Sequence, residues 1–173
     1  NPDTKMYSSD AIREELYGNE AEQGNPQEVF GLMRKRTIEA LKENFSVIYN
    51  ATNVAYKDRK GILQEVKNLK KEIEIIAHIF AVPIDVCKKR NSARERKVPD
   101  FVYEKMLCRW QTPCNWEGFD LIEVDYNGGI ENFEHYRRKM MNFDQHNHHH
   151  SKTLGHHCLA AQAYLAEKGN GYS

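Results

Sequence analysis

The sequence has 173 residues, 40% of them apolar, and its 25 basic and 25 acidic side chains cancel to zero net charge. That length holds one ordinary domain, or one domain and a piece of another. No apolar run approaches the roughly 20 residues of a membrane helix, Asn1–Lys5 is polar and reads as no signal peptide, and zero net charge argues against a broad nucleic-acid surface while leaving a local basic patch open. Cys87, Cys108, Cys114 and Cys158 are too scattered for a C-x-x-C pair or a disulfide framework, so a cytoplasmic location is expected.

In chain order, residues 6–9 read as a short strand, with Asp10 as the N-cap of the helix that follows. A polar loop at 19–26 ends in Pro26, which suits a first helical turn. Phe30, Met33, Thr37 and Leu41 then recur at helical spacing and predict an amphipathic helix over 27–44. A β-rich run at 45–50 precedes a second amphipathic helix at 57–71, carried by Ile62, Val66 and Leu69. Residues 72–80 predict a strand, 83–91 a helix opened by Pro83, 100–110 a helix with Val102, Met106 and Trp110 on one side, and 120–124 a last strand. Strands alternating with helices imply right-handed crossovers and a mainly parallel sheet covered on both faces. A charged helix at 130–142 reads as a connector, and beyond it six histidines fall between His146 and His157, ahead of a helix with Leu154, Cys158, Ala161 and Leu165 on one stripe. No internal repeat is present.

Ligands of doubly wound sheets bind beyond the carboxyl ends of the strands. Asp10 lies just after a strand, with Arg13 one turn on. A carboxylate there would accept a proton from an attacking hydroxyl, and the arginine fork would hold an anion on the same substrate. The competing reading is a helix cap, worth roughly 1 kcal/mol, plus a surface charge. "VIYNATN" puts Asn50, Thr52 and Asn53 directly after the apolar strand at 45–50. "KKRNSARERKVP", 88–99, gathers Lys88, Lys89, Arg90, Arg94, Arg96 and Lys97 around one glutamate. It breaks a helix before a Val-Pro stop, as a mobile lid would, and lid arginines stabilise the charge that develops in phosphoryl transfer. No aromatic platform for stacking single-stranded bases is apparent.

Three motifs together carry a resemblance: S-D-x-x-R at 9–13, N-A-T-N at 50–53, and R-N-x-x-R followed by V-P at 90–99. Over about residues 3–125 the sequence resembles the kinase domain of phage-type polynucleotide 5′-kinases and related bacterial kinases of the P-loop class. The resemblance implies ATP and Mg²⁺ as cofactors. Asp10 becomes the base that activates a 5′-hydroxyl, and Arg13 the clamp on the acceptor's phosphate. Arg94 becomes the lid arginine on the donor phosphates, with Arg90 and Arg96 beside it. Asn50, Thr52 and Asn53 line the substrate side, although the family often has aspartate where this chain has Asn50. The phosphate loop G-x-x-x-x-G-K-[ST] occurs nowhere in the sequence. The family carries it, with the first strand, just upstream of where this chain starts, so the resemblance implies a core lacking that strand and unable to transfer phosphate alone.

Residues 143–165 resemble the opening of an HD-type phosphohydrolase domain, in which His157 would be a metal ligand, and at least three such groups are needed for a transition-metal site. The triple histidine, 148–150, has the competing reading of a polar loop that binds metal adventitiously. The expected organisation is a kinase-like α/β core over 1–127, a helical connector over 128–142, and the start of an HD-type domain over 143–173. The implied acceptor is a nucleic-acid 5′ end or a small hydroxyl-bearing substrate, with no membrane partner. A non-catalytic nucleotide- or protein-binding module is the alternative from another class.

Overall fold

The computed structural model describes residues 3–80, 82 and 84–125. The connector helix, the histidine-rich stretch and His157 lie outside the described residues. The elements are β1 (Thr4–Ser8), α1 (Ser9–Tyr17), α2 (Pro26–Lys42), β2 (Ser46–Asn50), α3 (Tyr56–Asn68), β3 (Ile76–Phe80), α4 (Ile84–Ser92), α5 (Asp100–Arg109), a 3₁₀ turn (Asn115–Glu117) and β4 (Leu121–Asp125). The α/β class, with parallel strands flanked by helices, is what the alternating pattern predicted. Two compact units divide the chain: Asn1–Asn53 with Arg59–Glu72, and Val54–Asp58 with the described chain from Ile73 on.

In the first unit β1 pairs with β2 in parallel, from Thr4 opposite Ser46 to Ser8 opposite Asn50. A parallel pair needs a long crossover, and α1 and α2 supply it. Their inward residues Ile12, Val29 and Met33 form the core, with Tyr7, Leu16, Phe30 and Tyr49 packed around it. Val29 and Met33 are fully buried, each worth about 1.5–3 kcal/mol of apolar burial. Thr37, on the same stripe, satisfies its hydroxyl by donating to the Met33 carbonyl at 2.9 Å. The start of α2 is set by Asn25, whose side chain accepts from the Gln27 N–H at 3.0 Å, and by Pro26 after it. At its other end Asn44 takes a left-handed φ of 65°. The Lys71 ammonium gathers the Leu41 and Lys42 carbonyls and the Asn44 side chain at 2.9–3.2 Å, which answers the orphan carbonyls and the negative end of the helix dipole.

In the second unit β3 pairs with β4 in parallel, from Ile76 opposite Leu121 to Phe80 opposite Asp125. The strand predicted over 72–80 starts only at Ile76, and alternates: Ala77 and Ile79 are buried, whereas Ile76, His78 and Phe80 are exposed. Among the described residues the strands pair two and two, and apolar cross-strand neighbours lie open in each pair, Met6 with Ile48 and Ile76 with Leu121. The apolar letters of "EIEIIAHIF" do not distinguish a strand buried on one face from one buried on both.

The loop before α2 is tied to α1 by Tyr17, whose hydroxyl donates to Glu28 at 2.9 Å and accepts from the Asn25 N–H at 3.1 Å. Gly24 lies against that ring with φ +50°, and a Cβ there would overlap it. Gly24→Ala is expected to destabilise the protein by about 2–3 kcal/mol through overpacking and left-handed strain, read as a lower urea midpoint at unchanged slope. A second expectation concerns Tyr49, whose hydroxyl is pushed up to about 12 by burial. The folded state keeps this proton where the unfolded chain releases it, so the contribution is complete below pH about 10 and is lost as pH rises toward 12. Chemical denaturation between these limits should show a smaller loss in Tyr49→Phe than in the parent protein.

Candidate active site

The β1–β2 register sets Ser8 opposite Asn50, so the chain leaves both strands at the same edge. Ser8 is still extended, at φ −117° and ψ 135°, and the helix begins at Ser9. Ser8 is thus the N-cap, and the reading of Asp10 as the cap is corrected: strand and helix abut without a linker, which leaves Asp10 inside the first turn. There its charge complements the positive helix end. Arg13 Nη1 donates to Asp10 Oδ1 at 2.9 Å, with the aspartate side chain 58% exposed and the arginine only 12%. The guanidinium lies 5.9 Å from the Phe30 ring centroid, and its buried Nε has no hydrogen-bond partner among the described residues. An exposed i,i+3 pair contributes only about 0.2–0.5 kcal/mol, too little to account for a guanidinium held inward with an unmet donor. The arrangement suits capture of an anion beside a carboxylate.

Asn50, Thr52 and Asn53 leave β2 at that edge, with Asn50 and Thr52 exposed. Asn53 adopts φ 47°, a conformation asparagine tolerates better than most residues. Its carbonyl accepts from Arg59 Nη1 at 2.8 Å, and Arg59 is buried at 4% exposure. The sequence alone does not single out this arginine. A signal was present: Arg59 falls on the stripe of Ile62, Leu63 and Val66, the face that α3 buries.

The lid arginines belong to the second unit. Arg90 sits in the last turn of α4, and Arg94 and Arg96 lie on the segment joining α4 to α5, Arg94 exposed and Arg96 half-buried. A feature that the charged run conceals shapes this segment. Asn91 is buried, at 5% exposure. Its amide donates to the Val98 carbonyl at 2.8 Å and its oxygen accepts from the Val98 N–H at 2.9 Å, so one side chain serves as both backbone partners of Val98. The loop that carries Arg94 and Arg96 is clasped at its base. Lys88 adds contacts of 3.6 Å to Asp100 and Glu104 at the start of α5. Burial pushes the Cys87 thiol up, which makes it a poor nucleophile. Among the described residues no group of three His, Cys, Asp or Glu side chains gathers to hold a metal ion, and no helix is long and apolar enough to cross a membrane.

A family model described as an AAA domain matches residues 1–113. The chain belongs to that AAA domain family. It is also 30% identical over 88 residues to L-seryl-tRNA(Sec) kinase of Methanococcus maripaludis, a match covering 50% of this chain and 33% of that protein. The chain therefore spans about a third of this relative's length. The match to the AAA domain covers Asp10, Arg13, the Asn50–Asn53 stretch and the arginines at 90, 94 and 96, and the α/β arrangement is that of a P-loop kinase-like fold.

In this AAA domain the clasp has a direct readout, because trypsin cuts after Arg94, Arg96 and Lys97. Asn91→Ala should raise the cleavage rate within 93–98 by an order of magnitude or so through easier local opening. Cleavage on α2 should stay unchanged. Equal cleavage of the loop in both proteins would show that Asn91 does not hold it.

Proposed function

We propose that this AAA domain is the core of an ATP-dependent phosphotransferase that phosphorylates a hydroxyl carried on a nucleic acid. The observation that supports this best is the Asp10–Arg13 pair at the carboxyl edge of β1, with Arg13 drawn inward and its Nε unmet. In the resting arrangement Asp10 occupies one nitrogen of Arg13. An incoming acceptor phosphate takes over the guanidinium, by the bidentate geometry arginine favours, and frees the carboxylate to face the neighbouring hydroxyl. Asp10 accepts the proton of the acceptor hydroxyl as that hydroxyl's oxygen bonds to the γ-phosphorus. The bond from that phosphorus to the β–γ bridging oxygen breaks, and ADP leaves. Arg94, with Arg90 and Arg96, offsets the charge on the transferring oxygens. Mg²⁺ would arrive with the triphosphate, whose oxygens supply much of its coordination in such enzymes. The Asn50–Asn53 stretch borders the acceptor.

The sequence motifs favour a polynucleotide 5′-hydroxyl as acceptor. The kinase of L-seryl-tRNA(Sec) found among the relatives favours a hydroxyl borne by an RNA in another position, and both readings share an acceptor attached to nucleic acid. The likeness of residues 143–165 to an HD-type domain, with His157 as a metal ligand, is a proposal from sequence alone.

The test uses the intact protein. Asp10→Asn should lower turnover by roughly two to four orders of magnitude, the usual worth of a positioned base. Its melting temperature should stay nearly unchanged, because the exposed pair contributes little to stability. Normal turnover in Asp10→Asn would reduce the pair to a surface contact.

A further inference from the structure

Trp116 stands open to water at 68% exposure. It lies against Tyr56, ring centroids 4.8 Å apart at 57°. Both rings are fixed from behind. Trp116 sits in the 3₁₀ turn Asn115–Glu117. Glu117 is buried, at 5% exposure, and its carboxylate accepts from the Cys114 N–H at 3.1 Å. Gly118 closes the turn at φ 111°, where a side chain would be strained. The Tyr56 N–H donates to the Gln111 side-chain oxygen at 2.7 Å, while the Gln111 N–H donates to the Val54 carbonyl at 2.7 Å. The two segments are far apart in sequence and are cross-linked by backbone groups, so the pair is preorganised and little ordering cost is left for a ligand.

Tyr56 also lines an open cleft of about 390 Å³, together with Ala55, Lys57, Cys108, Arg109 and Gln111. Arg109 uses one guanidinium nitrogen to bridge both Asp58 oxygens, at 3.0 and 2.9 Å. With that pair neutralised, the Lys57 ammonium leaves the cleft positive. An aromatic platform, side-chain amide donors and a cation together match a nucleobase with its phosphodiester. A phosphate alone would not need the rings, and a purely apolar partner would not need the lysine.

We propose that this cleft binds a base of a single-stranded nucleic acid by stacking on the exposed Trp116 ring, which Tyr56 buttresses at a tilt, with Lys57 on the adjoining phosphate. The inference rests on the reading of the acceptor as nucleic acid and assigns a contact to that class of ligand within the second unit. The probe is a labelled single-stranded RNA hexamer, titrated into the 173-residue chain at low salt and followed by fluorescence anisotropy without ATP. Trp116→Ala should weaken binding roughly 5- to 100-fold, and Trp116→Phe should retain most of it. Lys57→Ala should make the dependence of log affinity on log salt shallower by about 0.7. Binding equal in Trp116→Ala and the parent chain, full competition by inorganic phosphate alone, or no binding at all would each overturn the proposal. Because ATP is absent, an inactive kinase would leave this titration untouched, whereas a protein that transfers phosphate but shows no Trp116-dependent binding would lose only this contact.

Discussion

Parallel pairing is the constraint on which the site depends. Two parallel neighbours cannot be joined by a tight turn, so the chain must cross from the end of one strand to the start of the next. In the first unit α1 and α2 make that crossing; in the second, α4, α5 and the 3₁₀ turn make it. The crossing always starts at the carboxyl edge, which is also where the second strand ends. Asp10 and Arg13, at the start of α1, thereby share an edge with the Asn50–Asn53 stretch that leaves β2. The same rule sends the chain from β3 into α4 and on to Arg94 and Arg96. Local propensity could not produce the first juxtaposition, because it joins residues about forty positions apart.

Loops between elements have no ladder or helix to satisfy their backbone, and a buried backbone group left unpaired costs about 1–3 kcal/mol. This protein answers with buried polar side chains. Arg59 takes the Asn53 carbonyl, Asn91 takes both groups of Val98, and Glu117 takes the Cys114 N–H. Each fixes a loop that bears candidate functional residues. Arg13 follows the opposite logic: it is drawn inward, yet its Nε has no partner among the described residues. A side chain whose donors were needed only for the fold would have them filled. That contrast, between polar groups that are used up and one that is not, is the physical basis for reading Arg13 as a ligand-holding residue.

Charge acts in the same local manner. The chain is neutral as a whole, so long-range attraction of a nucleic acid is weak and screened at physiological salt. Under the proposed function, an acceptor of that kind would be held by short-range contacts rather than by long-range attraction. Membership of the AAA domain family supplies the fold, while the kinase of L-seryl-tRNA(Sec) matches over only a third of its own length, so the choice of acceptor rests on contacts of this kind.

By itself the sequence determined the elements and their class. Apolar spacing placed α2 and α3 within a few residues of their observed bounds, Pro26 marked the start of α2, and the alternation of strands and helices gave the parallel pairing, because these signals are local and repeat over several turns. The charged run at 88–99 was equally legible as a loop carrying arginines. Tertiary structure alone decided the rest. Ser8 displaced Asp10 as the cap because the strand runs straight into the helix. Ile76 and Phe80 stayed exposed because burial depends on what covers a strand, which its own letters do not state. Arg59 and Asn91 stand in polar stretches of the sequence, and only the fold brings Asn53 and Val98 within their hydrogen-bonding reach. Tyr56 and Trp116 became a platform only when Gln111 drew together two segments sixty residues apart, and no local periodicity records a contact between positions so distant.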